Sequence, residues 1–141
     1  MSLQIFQGHL DAVSRCVMTE DFDGYAEQII LPFTLMTGVA TIWVTCRDQL
    51  EEGFEGFAAT MQDLGVTRLD RRAHAILQLG PGVIVGSYVT RTLAGDTEII
   101  PPFRSVLTLR RDAGRWKAAS ISNDTQNERW PVLFPKVSEP I

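Results

Sequence analysis

Cysteine and histidine are nearly absent from this chain, and long apolar runs are missing altogether. The two cysteines, Cys16 and Cys46, have no C-x-x-C spacing and are read as reduced core residues. The two histidines, His9 and His74, have no carboxylates clustered around them in sequence, so no metal site is expected. No stretch approaches eighteen uncharged apolar residues, which argues against a membrane-spanning helix. The opening MSLQIFQGHLD lacks a basic region followed by an apolar run, so no secretory signal is expected and the cytoplasm is the expected location. No G-x-S-x-G, P-loop or dinucleotide glycine fingerprint occurs, and no cofactor is expected.

Basic charge is scarce in one half only. Residues 1–65 carry ten Asp and Glu against Arg15 and Arg47, a local charge of -8, whereas residues 66–141 carry seven acids against eleven Arg and Lys, a local charge of +4. Arg68, Arg71, Arg72, Arg91, Arg110, Arg111 and Arg115 are spread over several strand-like segments without an aromatic-and-basic motif. They read as a solvated sheet face, and no nucleic acid is expected. With 141 residues and 45% hydrophobic composition, the chain is a single domain able to bury its own core.

Helical patterns dominate the front. Ser2 is placed to cap a first helix whose stripe is Phe6, Leu10, Val13 and Val17. A second helix starts near Asp21, buries Phe22, Tyr25, Ala26 and Ile29, and ends at Pro32. Two β-rich runs around Gly38, 31–37 and 40–46, form a hairpin. A third helix is capped by Asp48 with Glu51 in the capping-box position. Its stripe is Leu50, Phe54, Phe57, Met61 and Leu64, and Gly65 stops it.

Behind it lie four strands, at about 66–79, 83–93, 98–111 and 115–124. The turns Gly80-Pro81-Gly82, Gly95-Asp96 and Ala113-Gly114 make them antiparallel neighbours in chain order. The apolar, proline-rich tail 126–141, with Trp130, Leu133 and Phe134, is expected to pack on the body or on a second subunit.

Helix, helix, hairpin, long helix and four-stranded meander, with the D-Q-L-E-E-G-F-E-G-F helix and the closing hairpin LTLRRDAGRWKAASIS, resemble the nuclear transport factor 2-like superfamily over about residues 3–125. That group includes ketosteroid isomerases, scytalone dehydratases, SnoaL-like polyketide cyclases and many bacterial proteins without an assigned reaction. The resemblance implies an α+β, cystatin-like cone. In it a curved, mixed or antiparallel sheet is closed by three N-terminal helices over a hydrophobic pocket. It also implies a homodimer through the outer sheet face, where arginines alternate with Val83, Val85, Val89 and Leu93. The hairpin LPFTLMTGVATIWVTC carries no acid, unlike that of the ketosteroid isomerases, and the scytalone dehydratase placements do not match. Because this fold hosts many activities, function must be argued from the site.

The expected site gathers at the cone's open end. His9 lies on the apolar side of the first helix, either as a core residue or as an acid, base or donor. Asp124, in Ser122-Asn123-Asp124-Thr125, is either a proton-transfer group at the rim or a strand-end cap. Tyr25, Phe57, Met61, Tyr88, Arg104 and Asn123 are candidate ligand-binding residues; Arg104 alternatively lies on the outer face, as does His74. Three functions fit these residues: a small-molecule binder for an apolar ligand, an isomerase or cyclase using general acid–base chemistry, or a non-catalytic dimerisation module. A cavity of some ~300 Å³ among His9, Tyr25, Phe57, Met61 and Asp124 separates the first two from the third.

Overall fold

The computed structural model describes residues 1–131 and 135–137. Three helices, α1 (Ser2–Met18), α2 (Phe22–Ala26) and α3 (Arg47–Asp63), cover one face of a six-stranded sheet. The strands are β1 (Ile29–Met36), β2 (Thr41–Val44), β3 (Arg68–Leu79), β4 (Val83–Ala94), β5 (Thr97–Asp112) and β6 (Arg115–Asn123). Their spatial order is β2-β1-β6-β5-β4-β3. The last four are antiparallel neighbours, as the short turns require, and the hairpin joins the meander through a parallel β1–β6 pairing. Phe6, Leu10, Phe33, Leu50, Ile84, Leu107 and Leu109 form the main core, between α1 and the sheet.

Several local readings need correction. Ser2 does not cap α1; it is its first residue, and Met1 occupies the cap position without a side-chain bond. Asp21 does cap α2, accepting from the Gly24 amide at 3.0 Å, but that helix ends at Ala26. Ile29 and Pro32 belong to β1 instead, because this β-branched run pairs with both β2 and β6. Asp48 sits inside the first turn of α3, where its charge suits the helix dipole, and Cys46 takes the cap position. Cys46 is therefore exposed, while Cys16 is buried. Gly65 stops α3 as expected: at φ +72 it occupies the left-handed region, and the Val66 amide returns to the Met61 carbonyl. Leu50, Phe54 and Met61 are buried, but Phe57 is half-buried and Leu64 is 40% exposed.

Bulges shape the sheet. On β3, Ala73 faces Tyr88 and Ala75 faces Ser87, so His74 is an extra residue. A single insertion reverses the alternation that follows. Before it Leu69 points inward; after it Ile76 packs on the core while Leu77 and Leu79 stand exposed, against the expectation from simple alternation. On β5, Phe103 faces Thr90 and Ile100 faces Thr92, which places Pro101 and Pro102 at an irregularity where missing ladder donors are tolerated.

As one of the two edge strands, β3 would leave unpaired backbone groups. The Gln7 side chain of α1 takes two of them: its Nε2 donates to the Arg71 carbonyl at 2.7 Å, and its Oε1 accepts from the Ala73 amide at 2.9 Å. This clamp fixes α1 against β3 and brings Arg71 under the helix.

At Trp130 the tail packs on the body, one of the two placements its composition suggested. Trp130 donates through Nε1 to the Gln49 carbonyl at 2.7 Å. Its ring lies so close over α3 that a Cβ on Gly53 would fall 1.8 Å from it. Leu133 and Phe134 lie outside the described residues.

Candidate functional site

Between the helices and the sheet lies a cavity of about 150 Å³. Two adjacent rows of the sheet floor it. Arg71, Thr90 and Phe103 are cross-strand neighbours on β3, β4 and β5. Two residues along, Ala73, Tyr88, Ser105 and Asn123 form the next row, on the same face by the two-residue period of strands, and Tyr88 and Asn123 of that row line the cavity. His9 and Val13 enter from α1, Tyr25 from α2, Phe54 and Phe57 from α3, and Trp130 from the tail. The volume is half the ~300 Å³ expected of a drug-sized site. Phe6, Leu10 and Leu50 fill the rest of the interior with apolar side chains. Space for a single six-membered ring remains.

Histidine 9 is buried, with Nε2 3.1 Å from the Gln28 carbonyl. A carbonyl can only accept, so Nε2 carries the hydrogen and Nδ1 is left with a bare lone pair. Burial lowers the imidazole's pKa below 6.5; the Gln28 bond opposes this and the Arg71 charge adds to it. His9 is thus a neutral acceptor. Tyr25 packs its ring 4.8 Å from that of Phe54, and burial pushes its hydroxyl up to about 12, with Arg71 pulling the other way. It remains a protonated donor at neutral pH.

Arg71 is the residue that sequence reasoning misplaced. Expected on a solvated face, it lines the cavity, half-buried, with Nη1 donating to Ser14 Oγ at 3.0 Å. Its parity with Leu69 and Ala73 was the available signal, since a charge in phase with core residues on one strand must point inward. Among the described residues, the lining contains no carboxylate. The side-chain polar atoms that are buried without a protein partner there are His9 Nδ1, Arg71 Nε, Thr90 Oγ1 and Thr125 Oγ1. All four belong to residues of this one cavity.

The structure thus gathers His9, Tyr25, Phe57, Tyr88 and Asn123 around one space. Asn123 accepts there from the Ser105 hydroxyl. Three other expected residues lie outside it. Met61 is buried in the apolar cluster below α3. Asp124 is exposed, and its Oδ1 accepts from the Arg104 amide at 2.9 Å, a strand-end cap. Arg104 is exposed on the outer face, because its neighbours Phe103 and Ser105 take the inward positions. His74 is also exposed, at the bulge. Thr90 and Thr125 were missed because a threonine in a strand carries no sign of whether its hydroxyl finds a partner.

The order of helices and strands and the curved sheet match solved structures. A nuclear transport factor 2-like protein of unknown function from Shewanella oneidensis superposes with a TM-score of 0.71 at 13% identity, covering 88% of this chain and 99% of that one. The chain has the nuclear transport factor 2-like fold. A ketosteroid isomerase-like protein from Erwinia carotovora shares this fold at a TM-score of 0.61 and 15% identity, covering 87% of this chain and 95% of its own. A cystatin-like protein of unknown function from Nostoc punctiforme does so at 0.65 and 12%, covering 86% and 89%. No family model and no curated protein matches the sequence. Among the described residues, no helix is long and apolar enough to cross a membrane.

Proposed function

We propose that the protein binds a small organic molecule inside the cone. One observation carries this reading: the four buried polar side-chain atoms without protein partners among the described residues all belong to residues that line a single, mainly apolar cavity. Buried polar groups in folded proteins are hydrogen-bonded with few exceptions. Four exceptions on the residues around one space are accounted for if an occupant of that space draws these groups toward it and supplies the bonds. The apolar lining then holds the ligand's body, and the polar atoms set its orientation.

A second reading, general acid–base isomerisation or cyclisation, draws on one feature. The neutral His9 offers a bare Nδ1 beside the protonated Tyr25 hydroxyl's pocket, a base and a donor in one enclosure. Binding is preferred, because Asp124, the carboxylate best placed in sequence, caps a strand outside the cavity.

A thermal-shift screen of one-ring compounds, neutral and charged, tests the proposal against Val13→Phe, which adds bulk to the lining. Stabilisation of the native protein and its loss in Val13→Phe is the expected result. No stabilisation by any compound, or equal stabilisation of both proteins, would refute it.

We also propose a homodimer through the outer sheet face. There Leu77 and Val106 are exposed beside half-buried Val83, Val85 and Val89, although Leu93 turns inward and plays no part. Light scattering at micromolar concentration should give twice the chain mass, and Val106→Glu should give the monomer.

A further inference from the structure

We infer that the cavity accepts a small one-ring organic anion, a carboxylate above all, with its charged group on Arg71 and its ring among Phe54, Phe57 and Phe103. This deepens the ligand-binding proposal and rests on it. Among the described residues of the lining, Arg71 is the only one with a permanent charge, and no Asp or Glu balances it. Nor does it form an ion pair elsewhere: its described side-chain bond runs from Nη1 to a neutral serine hydroxyl, and Nε is buried with no partner. The half-buried guanidinium gives up part of its hydration, and an anion is the partner that restores it best. Its planar fork of N–H donors fits the two oxygens of a carboxylate better than it fits a lone carbonyl.

The neighbours favour the same class. Tyr25 and Tyr88 are donors, which an anionic oxygen accepts from, and His9 is uncharged, so no second cation competes for the anion. A cationic ligand would face Arg71 without any compensating carboxylate. The volume of about 150 Å³ limits the body to one ring. The clamp of Gln7 on the Arg71 and Ala73 backbone holds the guanidinium's strand in place under α1, so the charge is presented from a fixed point.

Isothermal titration at neutral pH with benzoate, benzyl alcohol and benzylamine tests this, using the native chain, Arg71→Gln and Arg71→Lys, with circular dichroism to verify folding. Benzoate should bind the native chain more tightly than benzyl alcohol, and benzylamine should not bind. Arg71→Gln should weaken benzoate roughly ten- to a hundredfold, the range for losing a charge-assisted bond, while leaving benzyl alcohol within about threefold. Arg71→Lys, which keeps the charge and loses the fork, should fall between the two. If benzyl alcohol binds as tightly as benzoate, or if folded Arg71→Gln or Arg71→Lys binds benzoate unchanged, the anion assignment fails and the pocket survives. If none of the three compounds binds the native chain, both proposals fall together.

Discussion

Below the second half of α3, Ala58, Met61, Val66, Leu69 and Ile100 close on one another as an apolar cluster; under α1 and α2 the same sheet floors a cavity. The first region holds none of the buried unpartnered polar atoms, and the second holds all four of those among the described residues. Two residues in the walls of the cavity break the local pattern, Gly53 on α3 and Arg71 on β3. Gly53 leaves room for the Trp130 ring, and that contact is complete within the protein. Arg71 leaves a charge for which no described residue of the lining supplies a carboxylate. The contrast separates an interior built for stability from one in which stability is given up for binding.

Substitutions in the packed region should have the largest effect on stability. Met61→Ala should cost about 2–5 kcal/mol in urea unfolding, as large-to-small changes at filled core sites do, and should leave ligand affinity unchanged once folded. A loss below about 1 kcal/mol would mean that this cluster is as loosely filled as the cavity. Phe57, half-buried at the cavity wall, should cost less than Met61 when truncated.

Gly53→Ala pits two effects against each other. Alanine gains about 1 kcal/mol of helix propensity, but its methyl would collide with the Trp130 ring. Displacing that ring should cost about 1–3 kcal/mol, so a net loss is expected together with a red shift of tryptophan emission. A stabilised variant with unchanged emission would show that Trp130 is not seated on α3.

The pH dependence of stability should report His9. Its pKa is lowered in the folded state, so the unfolded chain binds a proton that the native one refuses. Stability therefore rises with pH from that lowered value up to about 6.5 and falls on acidification through the same window. Arg71 from β3 strengthens the effect, and Tyr25 from α2, its hydroxyl pushed up to about 12 by burial, stays a neutral phenol there. Unfolding measured between about pH 7.5 and pH 5.5 should show a shallower slope in His9→Gln. An unchanged slope would remove His9 from the account.

The smallest effect has the opposite sign. Thr90→Val keeps the side chain's shape and removes a hydroxyl that has no protein partner, so it should raise stability by up to about 1 kcal/mol while weakening ligand binding. A destabilised Thr90→Val would mean that the hydroxyl is already satisfied.

The packed region was largely legible in the sequence. Leu50, Phe54 and Met61 recur at helical spacing, Gly65 ends the helix, and the hairpin turns order the last four strands without ambiguity. The cavity was legible only in part. His9, Tyr25 and Phe57 declared themselves through helix faces, whereas the bulge at His74 hid which residues of β3 face inward beyond it. Arg71 was hidden by its charge, which reads as solvent-exposed unless its phase with Leu69 and Ala73 is given more weight. Asp124 attracted attention for its chemistry, but its local backbone geometry uses it as a cap. Packing announces itself through periodicity, and unmet polar demand does so only in three dimensions.

Nuclear magnetic resonance of ¹⁵N-histidine and methionine-methyl labelled protein, titrated with benzoate at neutral pH, reads both interiors at once. The free protein should show His9 with one protonated and one bare ring nitrogen. Benzoate should move the His9 signals while the Met61 methyl stays in place. Movement at Met61 with His9 unaffected, or a His9 ring protonated on both nitrogens before any ligand is added, would contradict the division of the molecule into a closed core and an open binding cavity.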